Sequence, residues 1–250
     1  MKQAELKAFL DEKAAFYENP QFIETDPIQI PHQFHHKQDI EIASFLTATI
    51  AWGNRKSILN SAHKMMNILG GAPHDFIMNY KAAPLPNFIH RTFNTADLAF
   101  LCHGLQRLYQ NFIDMDAFFA AQEDGTVAQK ISALRDFMLL SPHQKRSEKH
   151  LSNPLKGSAA KRLNMFFRWM VRDATAGVDF GLWKAIRPSE LSIPLDIHTG
   201  NVARKLKLLK RVQSDRKALE ALDARLRKMD PKDPVKYDFA LFGLGAFEKF

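Results

Sequence analysis

A single cysteine, Cys102, stands among 250 residues. That excludes an internal disulfide and an iron–sulfur cluster held by several cysteines. Cys102 falls on the apolar face of an expected helix, where a free thiol packs as a small hydrophobe. No run of 18 uninterrupted apolar residues occurs, so no membrane span is expected. The opening Met1-Lys2-Gln3-Ala4-Glu5-Leu6-Lys7 lacks the apolar core of a signal peptide, and a cytoplasmic location is expected. His32, His35 and His36 cluster without a cysteine or a well-spaced carboxylate, so they read as a solvated loop and no metal is expected. Period-two alternation is scarce too: little in 1–140 sustains it for long enough to make a strand.

What is present is positive charge. Lys and Arg number 35 against 27 Asp and Glu, a net charge of +8. The sequence pI is near 9.5. Such a balance suits nucleic acid or an anionic membrane surface as partner. Apolar content of 46% and charged content of 25% are ordinary for a globular chain. The length allows one large domain or two lobes with a real core.

Helical periodicity runs through most of the chain. Residues 2–17 place Leu6, Phe9, Leu10 and Tyr17 on one face. Residues 18–38, with Pro20, Pro27 and Pro31, read as an extended connector. Asp39 is the expected N-cap of a helix from Ile40 to Trp52 that is apolar on nearly every side. Gly53 ends it, and Asn54 and Arg55 follow at the turn. Further helices fit Arg55–Leu69, Pro73–Tyr80, the stretch after the Asn94/Asp97 capping box, Asp116–Gln122 and Thr126–Leu140. Ser141 to Gly157 is polar, with Lys145, Arg146, Lys149 and Lys156 against Glu148, and reads as a phosphate-facing loop. In the stretch 173–191, Phe180 and Trp183 either line a base pocket or tuck the loop onto the core, and the core reading is favoured. Helices are also expected from Asp196 to about Leu208, over 214–229, and after Pro234.

The chemistry concentrates between 155 and 204. Leu155-Lys156-Gly157-Ser158-Ala159-Ala160-Lys161-Arg162 reads as a tight turn entering a basic helix. Ile193-Pro194-Leu195-Asp196-Ile197-His198 reads as an extended segment that delivers Asp196 to a helix N-terminus. Free backbone N–H groups and the helix dipole at such a turn suit a phosphate.

These two pieces resemble the helix-hairpin-helix DNA glycosylases. Gly157-Ser158-Ala159-Ala160-Lys161 is similar to that superfamily's Gly-x-Gly-x-Lys hairpin, with Ala159 at the second glycine. Pro194-x-Asp196-x-His198, with Arg204 following, is similar to its Pro-x-Asp-x-His-x-x-x-x-Arg segment. Asp196 follows Lys161 by 35 positions, nearest the archaeal 8-oxoguanine branch. The chain also resembles an uncharacterised bacterial family of about this length through Lys-Arg-Leu-Asn-Met-Phe-x-Arg-Trp-Met-Val-Arg at 161–172.

The resemblance implies an all-α fold with two helical lobes flanking a cleft. It implies a single unit over 1–250, lobe one about 40–165 and lobe two about 1–35 plus 166–250. It implies Lys161 as nucleophile and Asp196 as catalytic carboxylate, on a damaged base of double-stranded DNA, an oxidised purine among the candidates. Lys156, Gly157, Ser158, Ala159, Arg162 and His198 become DNA contacts, joined by Asn54 and Arg55, for which an ordinary polar turn is the competing reading. Free lysine titrates near ~10.4, so attack needs the neutral amine, which burial and cations such as Lys156 and Arg162 favour. The expected protein is a nucleoid-associated monomer needing no cofactor, a DNA repair glycosylase with AP-lyase activity. A non-catalytic DNA-binding or adaptor protein on the same scaffold is the alternative.

Overall fold

The computed structural model describes residues 2–122 and 124–250; Met1 and Glu123 lie outside them. The chain is built of helices, and the described strands are two residues each. No helix among the described residues is long and apolar enough to cross a membrane. The chain divides into two units, one of residues 1–22 with 154–250, the other of 23–153.

In the unit of residues 23–153 the central element is α2 (Lys37–Thr49), buried from Ile40 to its end. Its one interior charge, Glu41, accepts bonds from the Tyr109 hydroxyl at 2.9 Å and the Met115 N–H at 3.1 Å. Around it lie α3 (Arg55–Ile68), α4 (Pro73–Met78), α5 (Thr95–Asn111), α6 (Met115–Ala120) and α7 (Val127–Leu139). Side-chain caps start several of them, as the turn residues dictate: Asn54 for α3, Asn94 for α5, Asp114 for α6 and Thr126 for α7. Ahead of α5, β1 (Ile89–His90) pairs antiparallel with β2 (Phe93–Asn94).

Two local expectations need correction here. Residues 18–38 are not extended but wind through three 3₁₀ turns, Pro20–Thr25, Pro27–Gln29 and Pro31–Gln33. Each begins with a proline, whose fixed φ and missing N–H suit the first position of a helical turn. Asp39 does not cap α2; it lies in the first turn and accepts the His74 N–H at 2.7 Å, tying the start of α4 to α2.

The unit of residues 1–22 and 154–250 holds α1 (Gln3–Tyr17), α8 (Lys161–Val171), α9 (Ile197–Lys205), α10 (Arg216–Met229) and α11 (Tyr237–Ala246). α11 is the buried centre and packs on both α1 and α9. Gly243 makes the first contact possible: a Cβ there would stand 2.3 Å from the Tyr17 ring. The stretch 173–191 folds onto this core. Trp183 is buried edge-on against Phe166 and Phe167 at 5.0 and 5.4 Å, so the core reading of that aromatic holds.

Candidate functional site

The turn before α8 is made by two unusual backbones. Gly157 has φ +91°, with open space where a Cβ would stand. Ala160 is left-handed at φ 45° and ψ 40°, and gives α8 no side-chain cap. The strained position is thus Ala160, not Ala159, where the expected motif carries its second glycine. Three bonds hold the turn: Ser158 Oγ accepts the Ala160 N–H at 3.0 Å, Asn164 Nδ2 donates to the Ala159 carbonyl at 2.9 Å, and the Arg216 N–H donates to the Gly157 carbonyl at 3.0 Å. Ser158 also bridges to Asp215, the N-cap of α10. The start of α10 therefore braces the hairpin.

Lys156 and Gly157 are exposed, Ser158 is half-buried and Ala159 is buried. Lys161 is the first residue of α8 and half-buried. Arg162 beside it is pushed down to about 10 by burial of its guanidinium, which still leaves it charged at neutral pH. Asp196 caps α9 and accepts the Thr199 N–H at 2.8 Å. Its approach is fixed one turn of chain earlier, where Asp223 accepts the Ile193 N–H at 3.1 Å. His198 is exposed, its ring edge-on to Phe242 at 5.9 Å.

What joins α8 to α9 is a residue that sequence reasoning did not single out. Asp238 of α11 is buried, takes the Arg168 Nη1–H at 2.5 Å, and lies 3.5 Å from the Thr199 hydroxyl. Burial pushes its carboxyl up to about 6; the charges of Arg168 and Lys161 oppose that shift, and the charge of Asp196 adds to it. Arg168 also faces Asp179 at 3.3 Å. One turn on, Arg172 is bound by Glu18, Asp179 and Asp233 at 2.6 to 2.8 Å. Burial works against the Arg172 charge, and these carboxylates outweigh it and hold its pKa well above the usual arginine range. A signal for Asp238 was present: it is the lone charge in Tyr237-Asp238-Phe239-Ala240-Leu241-Phe242, a run bound for burial.

Asn54 and Arg55 are drawn into their own unit. Asn54 accepts the Ser57 N–H at 3.3 Å as the α3 cap, and Arg55 reaches Thr25 at 3.3 Å and Asp26 at 3.7 Å. Part of the basic loop is paired as well: Arg146 bonds buried Asp97 at 3.1 Å, and Lys145, which stays exposed, reaches Glu148 at 2.9 Å. Cys102 is buried and its thiol is pushed up to about 12 by burial, which leaves it inert at neutral pH. Among the described residues no group of three or more His, Cys, Asp or Glu is arranged to hold a metal ion.

The resemblance to the helix-hairpin-helix glycosylases is corrected by comparison with known proteins. No curated protein and no solved structure matches the chain. The family model that does match points to no glycosylase superfamily. The paired motifs span only 155–204, and short turn-and-cap patterns recur wherever helices follow hairpins. The matching model covers residues 26–247 and is described as Protein of unknown function (DUF2400), and that is the family to which the chain belongs.

Proposed function

We propose that this chain acts on double-stranded DNA, in the cytoplasm and as a monomer, at a nucleotide swung out of the duplex, as an N-glycosylase with AP-lyase activity. The observation that carries the reading is that α8, which begins with Lys161, and α9, which Asp196 caps, meet at buried Asp238 through Arg168 at 2.5 Å and the Thr199 hydroxyl at 3.5 Å, behind a turn open at Gly157. The reading rests on this geometry and the chain's +8 charge, and not on family membership. The N-terminus of α8, to which Ala160 gives no side-chain cap, and the exposed Lys156 would receive a phosphate. The neutral Lys161 amine attacks C1′ of the sugar; the C1′–N bond breaks and the base leaves with the electron pair and a proton. Opening of the sugar ring gives a Schiff base. Loss of a C2′ proton then expels the 3′ phosphate by β-elimination. Asp196, held by the Thr199 N–H, stabilises the positive charge that develops on the sugar.

Borohydride trapping on duplexes carrying 8-oxoguanine or an abasic site tests this. Wild type is expected to give a covalent adduct and Lys161→Gln none. No adduct from wild type across a lesion panel, or an equal adduct from Lys161→Gln, overturns the reading. A second reading is a non-catalytic DNA-binding or adaptor protein. It is favoured by the engagement of Asp196 as the cap of α9, where its carboxylate accepts the Thr199 N–H at 2.8 Å. It predicts salt-sensitive DNA binding with no trapping.

A further inference from the structure

We infer that Ser61 and His90 form a serine–histidine dyad that hydrolyses carboxylic esters of small anionic molecules, at a pocket on the exposed face of α3. The dyad stands apart from the DNA reading, whose catalytic residues belong to the other unit.

The helix supplies the pocket. Ser57, Asn60, Ser61 and Lys64 recur at intervals of three and four, so they share one face of α3. Ile58, Ala62, Met65 and Met66 are buried on the side away from it. With Asn54 and Lys56 at the start of the helix, the exposed face lines a pocket of about 390 Å³. Two lysines and no carboxylate stand among its lining residues, so it favours an anion.

The histidine supplies the base. His90 of β1 is buried, its ring edge-on to Trp52 at 5.1 Å. Its Nδ1 lies 2.9 Å from Ser61 Oγ, and its Nε2 lies 3.2 Å from the Trp52 carbonyl oxygen. A carbonyl oxygen only accepts, so in the neutral ring the proton sits on Nε2. Nδ1 then carries the lone pair, and the Ser61 hydroxyl donates to it. A nucleophile, a base within hydrogen-bond reach and a third group that fixes the tautomer are the parts of an activated serine. Ser61 is half-buried: its hydroxyl proton faces His90, and its oxygen stands on the pocket wall. Close packing keeps the hairpin in register with α3, since a Cβ at Gly53 would stand 2.7 Å from Nη1 of Arg91 at the hairpin tip.

The reaction follows from these places. Ser61 Oγ attacks the ester carbonyl carbon while its proton passes to His90 Nδ1. The Asn60 amide and the two lysines on the wall are the donors for the oxyanion. The ester C–O bond breaks, the leaving alcohol takes the proton from His90, and the acyl group remains on Ser61. Water then gives a proton to His90 and attacks the acyl carbon. The acid leaves, and Ser61 recovers its proton.

The experiment treats the full chain with an alkyl fluorophosphonate, from which Ser61 Oγ displaces fluoride at phosphorus, and maps the adduct by peptide mass spectrometry. Ser57, an exposed serine of the same pocket, is the internal control. Wild type is expected to label Ser61 at least tenfold faster than Ser57, and His90→Gln to bring the two within threefold. Should His90→Gln fail to fold, the exposed chemistry still decides: wild type is expected to hydrolyse p-nitrophenyl hydrogen succinate, and Ser61→Ala to fall to the uncatalysed rate. The kcat/KM for that anionic ester is expected to exceed that for p-nitrophenyl butyrate at least fivefold, a preference lost in the Lys56→Gln, Lys64→Gln double variant. Equal labelling of Ser61 and Ser57 in wild type, or hydrolysis that survives Ser61→Ala, overturns the inference. Labelling of Ser61 with no turnover of either ester overturns the hydrolase activity. A preference for the anionic ester that outlasts the loss of both lysines overturns the assigned substrate class.

Discussion

Ala160 carries a side chain into the left-handed region, where a Cβ costs about 1–2 kcal/mol. The turn keeps it there because its neighbours leave no alternative. Ser158 takes its N–H, and Asn164 takes the Ala159 carbonyl in a buried bond. The strain is local, and it sits next to the proposed nucleophile, where strained backbones often collect. Two substitutions separate strain from support. Ala160→Gly relieves the left-handed Cβ but adds unfolded-state freedom of similar size, so stability is expected to stay within about 1 kcal/mol of wild type. Asn164→Ala leaves a buried carbonyl without its donor and is expected to cost about 1–3 kcal/mol. Urea unfolding of the two variants checks both. A larger loss from Ala160→Gly than from Asn164→Ala would mean that the turn is not held by Asn164.

α8 and α11 are joined by charge as much as by apolar contact. The Arg168 guanidinium lies 4.4 Å from the Phe239 ring while binding Asp238, and Arg172 ties Glu18 at the end of α1 to Asp179 and Asp233. Arg172→Met keeps most of the volume but leaves Glu18 and Asp233 without this cation and Asp179 with Arg168 alone. Breaking a buried ion cluster on one side costs about 3–5 kcal/mol, so a fall in melting temperature of roughly 10 °C is expected, read by circular dichroism. A fall of under 2 °C would place the stability of this unit elsewhere. The helices themselves were legible: Asn94 with Asp97 and Asp196 announce helix starts, and each is a cap in the structure. The ion cluster was not legible, because its carboxylates come from three separate stretches, Glu18, Asp179 and the Asp233/Asp238 pair, and meet Arg168 and Arg172 only after packing. Pro20, Pro27 and Pro31 misled for a local reason. Proline stops a long helix, yet it starts a 3₁₀ turn well, and periodicity over three residues is too short to read.

The molecule as a whole carries two buried carboxyls whose protons report on folding, Asp223 and Asp238. Asp223 is the cleaner probe, because it stands outside the ion cluster of Arg168 and Arg172 and its role is to hold the segment leading to Asp196. Burial pushes it up to about 6 from 3.8, against the pull of Ser192, the Ile193 N–H and Arg227. Between those two values the folded chain keeps a proton that the unfolded chain has released. The folded state therefore binds more protons in that window, and stability from this group falls as pH rises. Its contribution is full below the unfolded value and is lost as pH climbs through about 6. For a shift of about two units the change is on the order of 2–3 kcal/mol. Asp223→Asn retains an oxygen that accepts the Ile193 N–H but binds no proton. The stability of wild type minus that of Asp223→Asn is thus expected to be larger near pH 4.5 than at pH 7.5, by about 2 kcal/mol. Urea unfolding of both proteins at the two pH values measures the difference, and taking it between variants cancels every other titrating group. A difference that stays level or grows with pH would mean that Asp223 is ionised throughout, bound to Arg227 closely enough to outweigh its burial.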